Sequence, residues 1–176
     1  MRIKAIFLFL LFLPVGVNSS MGQNFERFFA AALLNNLPNP LINVVDQKWP
    51  GGTFSLSIHR DDNLVISTAA DQMIGTVPLK VDFKGKVNRD LVFTQVNFDC
   101  TSEFETDSAV EMVFAYQNDR PDVTSKIYLP IPPVEVNCGD FAVPVQTLLQ
   151  EVIDRQIPEW QLLLDAAIEA ELAKLL

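Results

Sequence analysis

Two periods organise this chain, one near 3.6 residues at its ends and one of two through its middle. Between Asn24 and Asn36, Phe25, Phe28, Phe29, Ala32 and Leu33 fall at the i, i+3, i+4, i+7, i+8 spacing of one helical face. Asn24 is placed to cap the first turn. Leu37-Pro38-Asn39-Pro40 ends the helix, because each proline lacks a backbone donor and pushes the preceding residue out of the helical region. Leu41 to Val45 is apolar but too short to assign. From Thr53 the period is two. Phe54, Leu56 and Ile58 alternate with serines, and Leu64 to Ala69 follows the turn Arg60-Asp61-Asp62-Asn63. Val77, Leu79, Val81 and Phe83 alternate with Thr76, Lys80, Asp82 and Lys84, the mark of a half-buried strand. Pro78 in that run predicts an edge or a strand start, and Asn88-Arg89-Asp90 predicts a turn. Val92, Thr94, Val96, Phe98 and Cys100 share one face; Val110, Met112, Phe114 and Tyr116 share another. After the turn at Asn118 to Asp122, Val123 to Leu129 and Val134 to Cys138 read as extended, with Pro130, Pro132 and Pro133 between them.

The helical period returns after Cys138-Gly139-Asp140. Pro144 suits a first helical turn. Val145, Leu148, Leu149, Val152 and Ile153 make one stripe, with Gln146, Gln150, Glu151, Asp154 and Arg155 opposite. Pro158 removes a donor and clashes with the carbonyl of Asp154, so the tail is either two helices or one kinked helix. Beyond it, Trp160, Leu164, Ala167, Ile168, Leu172 and Leu175 line one stripe, while Leu162, Leu163 and Leu176 fall outside it. Strands first and a helical tail last predict an α+β fold. The expected architecture is an N-terminal helix, a curved antiparallel sheet of six or seven strands, and a long kinked C-terminal helix packed on or in the sheet.

The start of the chain changes the domain reading. Met1 to Lys4 is basic, Ala5 to Leu13 is an unbroken apolar run, and Pro14 to Ser20 ends in small residues. That layout predicts a signal peptide over residues 1–20, cut after Ser19 or Ser20, and a single domain over 21–176. The alternative is a membrane anchor, although the run is shorter than the ~20 residues that span a bilayer. The expected location is secreted or periplasmic. In an oxidising compartment Cys100 and Cys138 make one disulfide, with two free buried thiols as the rival.

Composition then narrows the function classes. With 13 Lys+Arg, 22 Asp+Glu and one His, the formal charge is −9, and 49% of residues are hydrophobic against 20% charged. That excludes a disordered tail and a basic nucleic-acid binder, and it opposes phosphate ligands and anionic membrane surfaces. His59, with Asp61 and Asp62 near in sequence, has no strand-turn-helix nucleophile motif to serve. Asp61-Asp62-Asn63 lacks the glycine and distal glutamate of a calcium loop. Glu103, Glu105 and Asp107 lie in a polar stretch expected between strands. Two distant cysteines and one histidine are too few for a metal site. No catalysis, cofactor or metal is expected. The apolar excess, including thirteen phenylalanines of which Phe7, Phe9 and Phe12 sit in the leader, is more than a one-sided sheet needs. Part of it is expected to line a cavity for a lipid or other apolar small molecule. The predicted contacts are Val77, Leu79, Val81, Phe83, Met112, Phe114, Leu149, Val152 and Trp160.

A short N-terminal helix, a meander of long strands and a terminal helix opened by Val145-Gln146-Thr147-Leu148-Leu149 resemble the small bacterial envelope proteins of the YceB-like type. Those are similar to one half of a tubular lipid-binding (TULIP) protein. The likeness spans most of residues 24–170. It implies a groove between a curled sheet and the long helix, holding an acyl chain, and no catalytic residues. Two departures stand out: no anchoring cysteine follows the apolar run, and the Cys100–Cys138 pair is instead similar to the single disulfide of animal TULIP proteins. The alternative function is a non-catalytic interaction module, whose terminal helix packs on a protein partner or transiently on a membrane through Leu162, Leu163 and Leu176.

Overall fold

The computed structural model describes residues 19–69, 72–91, 94–117 and 120–173. The predicted leader therefore lies outside the described residues, apart from its last two, which open the first helix. The fold is α+β, an open antiparallel sheet of eight strands with an N-terminal helix and a bent C-terminal one.

Helix α1 spans Ser19–Asn36, followed by β1 (Ile42–Trp49), β2 (Gly52–Arg60) and β3 (Val65–Ala69). Two very long strands come next, β4 (Gln72–Leu91) and β5 (Thr94–Gln117), then β6 (Arg120–Tyr128), β7 (Glu135–Cys138) and β8 (Phe141–Pro144). Helices α2 (Gln146–Asp154) and α3 (Ile157–Leu172) close the chain. The β4–β5 hairpin is the spine, paired without interruption from Gln72↔Val113 to Leu91↔Thr94. Each spine strand serves two neighbours in turn. β4 pairs β2 through Leu79 to Val87 and β3 through Gln72 to Thr76. β5 meets β7 at Thr101↔Asn137 and β6 from Ala109 to Gln117. β1 and β8 are the outermost strands of the longer path.

Alternation decides the faces. Val77, Leu79, Val81, Phe83 and Val87 of β4, Phe54, Leu56 and Ile58 of β2, and Cys100, Val110 and Met112 of β5 all point inward and are buried. The Phe54 and Phe83 rings stack at 5.9 Å. Lys80, Lys84, Lys86, Glu103, Glu105 and Asp107 point outward and are exposed. Helix α1 covers the β3–β4 end through Phe29, Ala32 and Leu33. Its close approach needs Gly75, where a Cβ would stand 2.8 Å from Leu33 Cδ1 and 3.2 Å from the Phe29 ring. The last turn of α1 is tied down by Arg60, whose guanidinium donates to the Leu34 carbonyl at 2.7 Å and to Asp62 at 2.6 Å. Cys100 and Cys138 are joined as a disulfide linking β5 to β7. Such a bond points to a location outside the cytoplasm.

Several sequence expectations are corrected. Helix α1 begins at Ser19, so Asn24 lies inside it and not at its cap. Ile42 to Val45 of the unassigned apolar piece supplies the first half of β1. Asn88-Arg89-Asp90 does not turn; these residues pair with Asn97, Val96 and Gln95, and cross-strand partners override local turn preference. Glu103 to Asp107 is not a connection but the middle of β5. Its inward residues Ser102, Thr106 and Ser108 are small and polar, which hides the alternation. Pro78 sits within a central strand. Its carbonyl accepts from Asp61 N–H at 2.8 Å, so its missing donor faces the junction where β2 ends and β3 begins. Phe141 to Pro144 forms β8 against β7, and the helix starts only at Gln146. The kink before Pro158 is as expected: the Gln156 N–H turns back to the Ile153 carbonyl at 2.8 Å, so the bent tail divides into α2 and α3 with Pro158 in the first turn of α3.

Candidate functional site

The nine predicted contacts are brought together. Val77, Leu79, Val81, Phe83 and Met112 belong to one buried cluster with Leu149, Val152 and Trp160 from the tail, and half-buried Phe114 packs against it. Eight of them are buried, and Leu79 also borders a hollow of about 320 Å³ shared with Asp61, Pro78 and Thr106. Val81, Met112 and Leu149 are 0% exposed, so no void large enough for a water molecule touches them.

What holds that tail was not anticipated. Along its flank, polar side chains bond to the backbone of β6 and the segment after it. Gln146 Nε2 donates to the Ile131 carbonyl at 2.8 Å, and Gln150 accepts from Ile131 N–H at 3.1 Å while donating to the Leu129 carbonyl at 3.2 Å. Beyond the bend, Gln161 donates to the Ser125 carbonyl at 2.7 Å, Asp165 accepts from Ser125 N–H at 2.8 Å and Glu169 accepts from Val123 N–H at 3.2 Å. The helix thus satisfies alternate residues of a sheet edge as a neighbouring strand would. Gln146, although exposed, and half-buried Gln150 are thus bonded to the backbone after β6, which their place opposite the apolar stripe does not announce. The i, i+4 spacing of Gln146 with Gln150, and of Gln161, Asp165 and Glu169, is the signal that carried this contact.

Among the described residues, the opposite side of α3 is exposed. Trp160, Leu164 and Ile168 use up the inward stripe. Leu162 is 72% exposed and Leu163 is 51% exposed, with Ala166 and Ala170 continuing the same ridge at helical spacing. Glu159 borders it one turn earlier. The last turn of α3 holds no basic residue.

The outer sheet face carries the polar groups weighed for chemistry. Ser57 Oγ and His59 Nε2 lie 2.8 Å apart on β2, both toward solvent. The acids near them in sequence are engaged elsewhere: Asp62 with Arg60, and Asp61 as acceptor for Asn63 N–H at 3.0 Å. No third member orients the histidine. Lys80 pairs with Glu103, whose hydrogen bond and charge hold the lysine above its ordinary value. Hollows of about 280 and 410 Å³ open around the β1–β2 bulge, with walls that mix Asp46, Asp82 and Asp99 with Lys84 and Lys86. Among the described residues no three His, Cys, Asp or Glu side chains converge as metal ligands. Nor is any described helix long and apolar enough to cross a membrane. No protein-family model matches the chain, and no curated protein is similar enough to count as a relative.

Proposed function

We propose that the protein is a non-catalytic interaction module of the secreted or periplasmic space, whose contact surface is the outer ridge of α3 and whose occupant is a partner protein offering an apolar helical face. One observation carries this reading: Leu162 and Leu163 stay 72% and 51% exposed on a helix whose inward stripe is already consumed. Two adjacent leucines continued by Ala166 and Ala170 form a stripe, not scattered surface residues. Burial of the two leucines yields about 1.5–3 kcal/mol each. Native mass spectrometry of the protein isolated from its own source is expected to find a bound protein, absent from the Leu162→Gln/Leu163→Gln variant. A partner retained by that variant overturns the reading.

The second reading is lipid binding beneath the tail, as the TULIP resemblance implies. It is favoured by the gathering of the nine candidate residues into one apolar cluster roofed by a helix bent at Arg155 and Gln156. A guest enters there only by lifting α2 and α3. Uptake of a fluorescent fatty acid by delipidated protein, unaffected by Leu162→Gln/Leu163→Gln, supports this second reading against the first.

A further inference from the structure

Resting on the interaction reading above, charge decides which apolar helical face the ridge accepts. From Val145 to the end, the chain carries Glu151, Asp154, Glu159, Asp165, Glu169 and Glu171 against only Arg155 and Lys174. Within α3 there is no base at all. Asp165 and Glu169 accept from the backbone of β6 and lie on the border of the ridge. The negative end of the helix dipole falls at the last turn of α3, and the helix itself contributes no basic residue there. Arg155, the nearest described cation at the bend, bonds back to the Glu151 carbonyl at 3.1 Å. The ridge is therefore an apolar strip on a helix whose own charged side chains are all acidic. A second copy of this chain brings the same sign to the contact, and an anionic membrane surface is repelled.

We infer that the α3 ridge docks a cationic amphipathic helix of a partner protein, with its leucine-type face on Leu162, Leu163 and Ala166 and its lysines or arginines beside Glu159, Asp165 and Glu169. Apolar contact supplies affinity, and charge selects the partner and its orientation.

The probes are two designed 18-residue amphipathic peptides of identical apolar pattern, one Leu/Lys and one Leu/Glu, read by fluorescence anisotropy against the full chain at physiological salt. The Leu/Lys peptide is expected to bind. Leu162→Gln/Leu163→Gln, which leaves the charge unchanged, is expected to weaken it at least about tenfold, and Glu159→Gln about threefold. The Leu/Glu peptide is expected not to bind. Equal binding of both peptides, each lost in the leucine variant, overturns the cationic preference while leaving the ridge as a docking site. Leu/Lys binding that survives in the leucine variant overturns the ridge and the proposed function together, as does failure of both peptides to bind. A dimer in sedimentation that the leucine variant abolishes, or binding to phosphatidylglycerol vesicles through the same leucines, assigns the ridge to another occupant and overturns the inference.

Discussion

Ser125 gives its backbone N–H to the carboxylate of Asp165, 2.8 Å away and forty residues later in the chain. The contact crosses from a strand edge to a helix flank and does the work of a ladder bond. With Glu169 on Val123 and Gln150 on Ile131, it makes the tail a structural substitute for a missing strand. Edges left open invite pairing with other chains, and covering one with a helix is a way to prevent it.

The first prediction concerns that substitute. Asp165→Ala leaves the N–H of Ser125, itself 1% exposed, without its acceptor. The expected loss is about 1–3 kcal/mol in urea unfolding. Asp165→Asn keeps an acceptor oxygen and is expected to lose less. Hydrogen exchange at Ser125 is expected to accelerate in the alanine variant; unchanged exchange there contradicts the ladder.

A second prediction follows from the turn into β2. Gly52 has φ +149°, and a Cβ there would lie 1.9 Å from the Lys86 carbonyl oxygen. Gly52→Ala is expected to cost at least about 2 kcal/mol, because no side chain is available to move aside. Gly75→Val meets the side chains of Leu33 and Phe29 instead, and is expected to loosen α1 at a cost of about 1–3 kcal/mol. Calorimetry ranks the two, and protease sensitivity near α1 rises only in the second.

Reduction of the Cys100–Cys138 bond tests the covalent tie between β5 and β7. For a sequence separation of 38 the chain-entropy argument gives about 4 kcal/mol. In a chain of this size that corresponds to a fall in Tm of roughly 10 °C. A reductant that leaves Tm unchanged removes the bridge from the account of stability.

Lys80 provides a titration. Its partner Glu103 raises its pKa above the ordinary 10.5, through the hydrogen bond first and the charge second. A raised pKa means that the pair's contribution is complete below 10.5 and fades as the pH climbs through the elevated value. NMR of the lysine side chain is expected to place its midpoint above 10.5, and Glu103→Gln is expected to bring it back. Lys80 is fully exposed, so global stability is expected to move little.

The inward stripes of β2, β4 and both tail helices were legible from period, the α+β class from element order and the bend from Pro158. What escaped was set by partners remote in sequence. Asn88 to Asp90 reads as a turn because its strand pairing depends on Gln95 to Asn97. Glu103 to Asp107 reads as a loop because Ser102, Thr106 and Ser108 face inward without being apolar. Helix flank residues such as Gln150 and Asp165 look solvated until the edge they cover is known. For the candidate site, the apolar period marks residues that join the buried cluster, while period alone does not separate ordinary core from a cavity lining. Packing density is a property of the assembled core, and no single position announces it.

The unbroken β4–β5 pairing also bears on error. With side chains alternating at a strict period of two, a slip of one residue along this hairpin turns every inward group of a strand to the outside at once. β2, β3, β6 and β7 all take their alignment from it, so misalignment cannot be confined to one end of the molecule. The hairpin behaves as a shared ruler for the strands laid against it.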